Sequence, residues 1–146
     1  MSRIDILLLG PSDAEVLDRL APDVFDHDVQ PDWCTDFLAD ARHHLVVAVS
    51  DGVVVGMASA VDYLHPDKEP QLWINEVGVS PAYRRHGIGR RLVERLVELA
   101  MELGCTEAWV LTDAENAAAN RLYAAAGAEV PPASSLMYTI PIRRSE

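Results

Sequence analysis

Trp73-Ile74-Asn75-Glu76-Val77-Gly78-Val79-Ser80-Pro81-Ala82-Tyr83-Arg84-Arg85-His86-Gly87-Ile88-Gly89-Arg90-Arg91-Leu92 begins as an alternating, β-like run and ends in a helical pattern. Between the two lies a turn rich in glycine and arginine. Glycines at 87 and 89 remove Cβ atoms where the chain enters the helix, so backbone N–H groups there can approach an anion closely. The helix dipole adds a partial positive charge, and arginines at 84, 85, 90 and 91 surround the same turn. A pyrophosphate matches such a cradle. A helix cap beside a solvated basic face is the plainer reading of the same residues. No Gly-Lys-Ser/Thr follows, so the turn is not a P-loop. A third glycine and a downstream ribose-binding acid are also missing, which excludes a dinucleotide fingerprint.

On the N-terminal side, Arg3–Leu9 alternates as a strand would. Ser12 followed by Glu15 carries a capping-box signature, which predicts a helix over roughly 13–21. Pro22–Asp32 reads as a loop, and Pro31 can open a helix through about Ala41 with Trp33, Phe37 and Leu38 on one side. His44–Ser50 and Val53–Tyr63 are β-branched runs joined by Asp51-Gly52, a strong hairpin turn signal. A turn at Pro66–Pro70 leads to the strand Gln71–Ser80. On the C-terminal side, Ile88, Leu92, Val93, Leu96, Val97, Ala100 and Leu103 form an apolar helical stripe that Gly104 can terminate. Glu107–Thr112 reads as a strand, Asn116–Ala126 as a short helix ended by Gly127, and Ser135–Ile142 as a last strand. The order predicts a single α/β (α+β) domain over 1–146 with one mixed, mostly antiparallel central sheet flanked by helices.

Composition bounds the function. The chain has 146 residues with 49% hydrophobic content, enough for a core, and no apolar run nears the roughly 20 residues of a membrane span. The N-terminus reads as a strand rather than a signal peptide. Cys34 and Cys105 are read as free, buried thiols in a reducing cytoplasm. Twelve basic residues against 23 acidic ones give a formal charge of −11, which disfavours nucleic acid and favours a cationic partner. The acids concentrate at Asp13, Glu15, Asp18, Asp23, Asp26, Asp28, Asp32, Asp36 and Asp40, against Arg19 alone. A solvated acidic surface that keeps the protein soluble is the plainer alternative. His27, His43, His44, His65 and His86 show no useful metal-ligand spacing, and no metal is expected. Trp33, Trp73 and Trp109 read as core or interface residues rather than ligand stackers.

The strand Asn75–Ser80 with Arg84-Arg85-His86-Gly87-Ile88-Gly89 resembles the Arg/Gln-x-x-Gly-x-Gly/Ala pyrophosphate loop of the GNAT superfamily of acyl-CoA N-acetyltransferases. Val110-Leu111-Thr112 and Asn116 through Tyr123-Ala124-Ala125-Ala126-Gly127 resemble that family's next strand and its Tyr-x-x-x-Gly helix. The resemblance implies a bulged strand splayed from its neighbour, with the pantetheine of acetyl-CoA, the cosubstrate, in the gap. Backbone groups of Val77 and Val79 would line that gap. The N–H groups of Arg85, His86, Gly87, Ile88 and Gly89 would hold the pyrophosphate, with Arg84 and Arg90 screening its charge. Asn116 would bind pantetheine, a role compatible with that of a helix N-cap.

The same resemblance implies that Tyr123 protonates or hydrogen-bonds the departing CoA sulfur. A backbone N–H near Val77 would stabilise the oxyanion. Glu76 alternates with Val77 and would face the acceptor, either as a base or as an anchor for the ammonium. The segment from Val24 to Ala48 and the run Val110-Leu111-Thr112-Asp113 resemble GNAT-type aminoglycoside 3-N-acetyltransferases, which are antibiotic-resistance enzymes. Asp26, Asp28 and Asp32 are then the candidate substrate-binding acids. The resemblance implies acetylation of an aminoglycoside amine, with a homodimer permitted. Acetylation of another amine (polyamine, small metabolite or protein amine) and a non-catalytic acyl-CoA sensor are the alternatives.

Overall fold

A computed structural model of the chain describes residues 2–113, 115–129 and 137–142. Strands β1 (Asp5–Leu8), β2 (His43–Ser50), β3 (Val53–Tyr63), β4 (Gln71–Val79) and β5 (Ala108–Val110) form one sheet in the order β1-β2-β3-β4-β5. Neighbours are antiparallel except β4 and β5, which are parallel and joined through helix α2 (Ile88–Glu102). Helix α1 (Pro31–Ala39) precedes β2, and helix α3 (Ala117–Ala125) follows β5. The mixed, mostly antiparallel sheet with flanking helices is the expected fold.

Each face of the sheet carries its own core. On one face Ile88, Leu92, Val93, Leu96, Leu99 and Ala100 of α2 pack on Val46, Ala48, Val55, Ala58, Ala60, Leu72 and Ile74. On the other, Leu9, Leu17, Val24 and Leu38 cover Leu45, Val47 and Met57. Alternation along β2 and β3 sends side chains to the two faces in turn, which is why these strands are apolar almost throughout. Local turn chemistry follows the sequence closely. Asp51 and Gly52 both take left-handed backbone (φ 49° and 77°), as a tight hairpin turn requires. Helix α2 ends with Gly104 at φ 77°, where Gly104 N–H donates to Met101 O and Cys105 N–H to Ala100 O.

Several expectations need correction. Residues 13–21 form only a short 3-10 turn, Ala14–Asp18, and Ser12 does not cap it. The Asp13 carboxylate instead accepts from the Gly10 N–H (2.7 Å). Arg19 O accepts from Val54 N–H and Ala21 N–H donates to Val54 O, so the chain is drawn out along β3 and cannot stay helical. In α1, Cys34, Phe37 and Leu38 turn inward, whereas Trp33 is 74% exposed and belongs to no core. The helix stops at Ala39 because Asp40 is extended and its carboxylate takes the Arg42 N–H (2.8 Å). In α2, Leu99 is buried while Val97 and Leu103 are partly exposed. Strand β5 keeps only the residues that pair with Leu72–Ile74. Of the expected last strand, Ser135 and Leu136 lie outside the described residues. Residues 137–142 form no regular element and expose Met137, Tyr138, Ile140 and Ile142.

Candidate active site

The bulge at Asn75 organises the site. Between β3 and β4 the register steps from Ala60↔Ile74 to Ser59↔Glu76, so Asn75 is an extra residue on β4. Before the bulge, Leu72 turns its backbone toward β5, its N–H donating to Glu107 O (3.0 Å). After it, Ser80 N–H donates back to Val55 O on β3. Main-chain groups alternate sides along a strand, so Val77 and Val79 present theirs away from β3. Without the extra residue Glu76 and Gly78 would hold that position. Pairing with β5 ends at Ile74↔Val110, and from Asn75 onward β4 has no strand partner on that side among the described residues. The two strands part there, which opens a gap edged by the Val77 and Val79 backbone.

Side chains sort by the same alternation. Val77 and Val79 pack against the α2 core, while Glu76 and Gly78 face the other side. Gly78 shows the direction: a Cβ added to it would lie 2.4 Å from the Val24 carbonyl oxygen. The loop that leads to Asp26 and Asp28 therefore closes over this face. Glu76 is exposed, as are Asp26, Asp28 and Asp32. Among the described residues no hydrogen bond or ion pair joins these carboxylates to one another. Asp32 sits in the first turn of α1, which packs on β2 rather than on β4.

At the end of the gap the chain enters α2 through two left-handed residues, Arg85 (φ 64°) and Gly87 (φ 76°). The helix interior begins at Ile88, and its first intrahelical bond runs from Arg91 N–H to Gly87 O (3.1 Å). Among the described residues, the N–H groups from Arg85 to Arg90 are thus left for another acceptor. Gly87 faces open space, so its role is backbone conformation. Gly89 is different: a Cβ there would meet Leu122 Cδ2 at 3.3 Å, so it lets α3 pack on α2. The Ile88 side chain is 2% exposed and goes to the core, leaving only its backbone for a ligand.

The arginines are partly committed within the fold. Arg84 Nε donates to Val79 O (3.1 Å), Arg90 Nε to Glu94 (2.7 Å) and Arg91 Nη2 to Ile4 O (3.1 Å). Arg85 makes no hydrogen bond or ion pair among the described residues. Exposed His86 holds its Nδ1 3.2 Å from Tyr83 O.

Helix α3 brings two more predicted residues. Asn116 is its N-cap, Oδ1 accepting from Ala119 N–H (3.0 Å). Tyr123 is half-buried on the α2 face and borders a cavity of about 210 Å³ with Ile74, Val93 and Val110. Burial raises its phenol above the ordinary value, so the hydroxyl keeps its proton at neutral pH. Glu76 and Tyr123 thus stand on opposite faces of the sheet, on either side of the gap. Among the described residues, no three His, Cys, Asp or Glu side chains converge as a metal site. No helix among them is long and apolar enough to cross a membrane.

A bulged, splayed strand leading through a left-handed turn into a helix N-terminus is a specific arrangement. Residues 14–128 match the model of the acetyltransferase (GNAT) family. The chain belongs to the GNAT acetyltransferase family. Among its curated relatives is an L-2,4-diaminobutyric acid acetyltransferase of Nocardia farcinica (strain IFM 10152), 31% identical over 93 residues, which are 64% of this chain and 45% of that protein. An aminoglycoside N(6′)-acetyltransferase type 1 of Salmonella typhimurium is 29% identical over 87 residues, 57% of this chain and 60% of the relative. The chain spans about half the length of the curated relatives it matches. Among solved GNAT structures, an aminoglycoside acetyltransferase from an uncultured soil metagenomic sample, in complex with sisomicin, superposes with a TM-score of 0.78. It is 19% identical and covers 94% of this chain and 97% of its own, a likeness of fold. The aminoglycoside relative carries an N(6′) designation, not the 3-N type expected from the sequence.

Residues that the sequence reading set aside also lie at this site. Trp73 and Trp109 stack at the last pairs before the strands part. The signal was available in the alternation of Trp73 with Leu72 and Ile74, three residues ahead of Glu76. It was obscured because a tryptophan in a β-run reads equally well as core.

Proposed function

We infer that the chain transfers the acetyl group of acetyl-CoA to a primary amine of a small polycationic acceptor, an aminoglycoside being the proposed substrate. The observation that carries this reading is the gap beyond Ile74↔Val110 with the Val77 and Val79 backbone along its edge. The residues fit acetyl-CoA. Its pantetheine amides would pair with the Val77 and Val79 backbone on the open side of β4, as an added strand does, with Val79 O also accepting from Arg84 Nε. Its pyrophosphate would accept from the N–H groups of the Arg85–Gly89 turn, with Arg84 and Arg90 alongside. Asn116 would keep its capping bond and add a pantetheine contact. A single acetyltransferase domain over 1–146, working in the cytoplasm, is the form we propose.

The two faces of the sheet divide the chemistry. The amine approaches from the Glu76 side and attacks the thioester carbon as a neutral nucleophile. The C–N bond forms, the carbonyl electrons move onto oxygen, and a backbone N–H near Val77 stabilises that charge. Collapse breaks the C–S bond. The thiolate takes a proton from Tyr123, which regains one from solvent, and the attacking nitrogen loses one to solvent through Glu76 or a bridging water. A free carboxylate is a weak base toward an ammonium, so anchoring the ammonium is the second role of Glu76. The 3-amino group is the proposed position, with the 6′-amino group its rival.

Free-thiol release from acetyl-CoA with gentamicin, sisomicin, kanamycin, spermidine and a lysine peptide tests the reading. Saturable release with the aminoglycosides supports it, and NMR of the product locates the acetyl group. Release only with spermidine or peptide would keep the chemistry and overturn the acceptor. Acetyl-CoA binding without release from any amine would overturn the transferase reading.

A further inference from the structure

Trp73 and Trp109 occupy directly paired positions on the parallel strands β4 and β5, one pair before Ile74↔Val110, where the gap opens. Their rings are stacked, with centroids 4.9 Å apart and planes within 10°. A cross-strand aromatic pair stabilises a sheet wherever it occurs. This one lies on the face of β4 that also carries Glu76, since Val61↔Trp73 and Ser59↔Glu76 follow one another across the register. Leu72 and Ile74 turn to the buried α2 core, whereas both indoles remain partly exposed on the acceptor face.

The Trp109 ring is fixed in place. Its Nε1–H donates to Tyr63 Oη (3.0 Å), Tyr63 donates to Gln71 Oε1 (3.2 Å), and Gln71 Nε2 donates to Glu107 (3.0 Å). Tyr63 also meets Trp109 edge to face. A π surface held this way loses little freedom when a ligand covers it. Carboxylates flank the same face. Glu76 lies beyond Trp73, and Asp40 stands beside His43, whose β3 partner Val61 is in turn the partner of Trp73. The Arg42 and His43 backbone N–H groups and the His43 ring hold the Asp40 carboxyl below its usual range, so it is ionised there.

A partly exposed pair of stacked indoles with Glu76 further along the same face fits a cation with an extended C–H face. We propose that the Trp73–Trp109 stack is the platform for an aminated sugar or cyclitol ring, and that it selects ring-shaped acceptors over linear amines. The C–H face of the ring lies on the indoles, its ammonium groups reach Glu76 and Asp40, and the amine to be acetylated stands at the mouth of the gap. Linear diamines and polyamines offer the same charge without the face. This inference rests on the amine-acetylation reading above.

The chain has three tryptophans, so Trp33→Phe leaves both remaining indoles in the stack. Trp33 lies exposed on α1, outside the proposed machinery. Titrating Trp33→Phe protein with sisomicin should change its fluorescence saturably at concentrations that saturate turnover, whereas spermidine and L-2,4-diaminobutyrate should leave it unchanged. In parallel, Trp73→Leu should lower kcat/KM for sisomicin by roughly tenfold, mainly through KM, with the KM for acetyl-CoA and turnover of spermidine held within about twofold. Trp73→Phe should restore part of the loss. No fluorescence change with a turning-over ring acceptor, or equal losses for ring and linear acceptors, would overturn the platform. A wild-type protein that acetylates linear amines and not sisomicin would overturn it too, leaving the amine-acetylation reading intact. No thiol release with any amine, ring-shaped or linear, would remove both.

Discussion

At the scale of single residues, the structure separates side chains that can act from those already engaged. Burial raises the Tyr123 phenol, which keeps the hydroxyl protonated to hydrogen-bond a departing sulfur but makes it a weaker acid. Tyr123→Phe should lower turnover by about tenfold to a hundredfold while leaving acetyl-CoA affinity within a few-fold, as stopped assays and titration would show. The pH dependence follows from the same shift. Because the folded phenol holds its proton above the unfolded value near 10, the folded state binds more protons as pH rises past that value. Stability therefore falls above about pH 10, and unfolding curves of Tyr123→Phe should lack this component. Among the described residues Arg85 has no side-chain partner, whereas Arg90 is held by Glu94. Arg85→Ala should weaken acetyl-CoA binding by about 1–3 kcal/mol if its guanidinium meets the pyrophosphate, and Arg90→Ala by less. Equal losses would assign both arginines to the ligand.

At the scale of elements, the bulge and the glycines of β4 fix which groups face which side. A methyl group on Gly78 would lie 2.4 Å from the Val24 carbonyl, so Gly78→Ala must push the 22–30 loop outward. A loss of about 1–3 kcal/mol in thermal unfolding is expected, with a raised KM for the acceptor rather than for acetyl-CoA. At the other end of the sheet, the Asp62 carboxylate joins β2 to β3 by meeting His44 Nε2 at 2.6 Å and Arg42 Nη1 at 3.1 Å. Asp62 is 8% exposed. Asp62→Ala leaves both partners without their acceptor and should cost about 2–3 kcal/mol in denaturant unfolding. Turnover of the remaining folded protein should be unchanged, because this cluster lies on the α2 face, at the end of β3 away from the gap.

At the scale of the whole molecule, two opposite fields coexist. The formal charge of −11 surrounds a small basic turn at the start of α2. Such a field attracts a polycation from a distance and is screened by salt. Between about 0.02 and 0.3 M salt, where the screening length falls from roughly 20 Å to under 10 Å, KM for a polycationic acceptor should rise several-fold. A constant acceptor KM across that range would show that contact groups alone set affinity.

The sequence alone determined what depends on neighbours along the chain. The left-handed turn at Asp51-Gly52, the glycine entry and exit of α2, and its apolar stripe are local preferences, legible because backbone sterics and a 3.6-residue period act within a few residues. The bulged strand and the glycine loop were legible through the family resemblance, which rests on those same residues. What lies far apart in the chain was decided by tertiary structure. The predicted helix over 13–21 lost to hydrogen bonds with Val54, a residue more than thirty positions away. The exposure of Trp33, the stacking of Trp73 on Trp109 and the placement of Glu76 and Tyr123 on opposite faces depend on which strands pair and in what register. An alternating pattern gives each strand two faces, and only the pairing of distant strands decides which of the two cores each face joins.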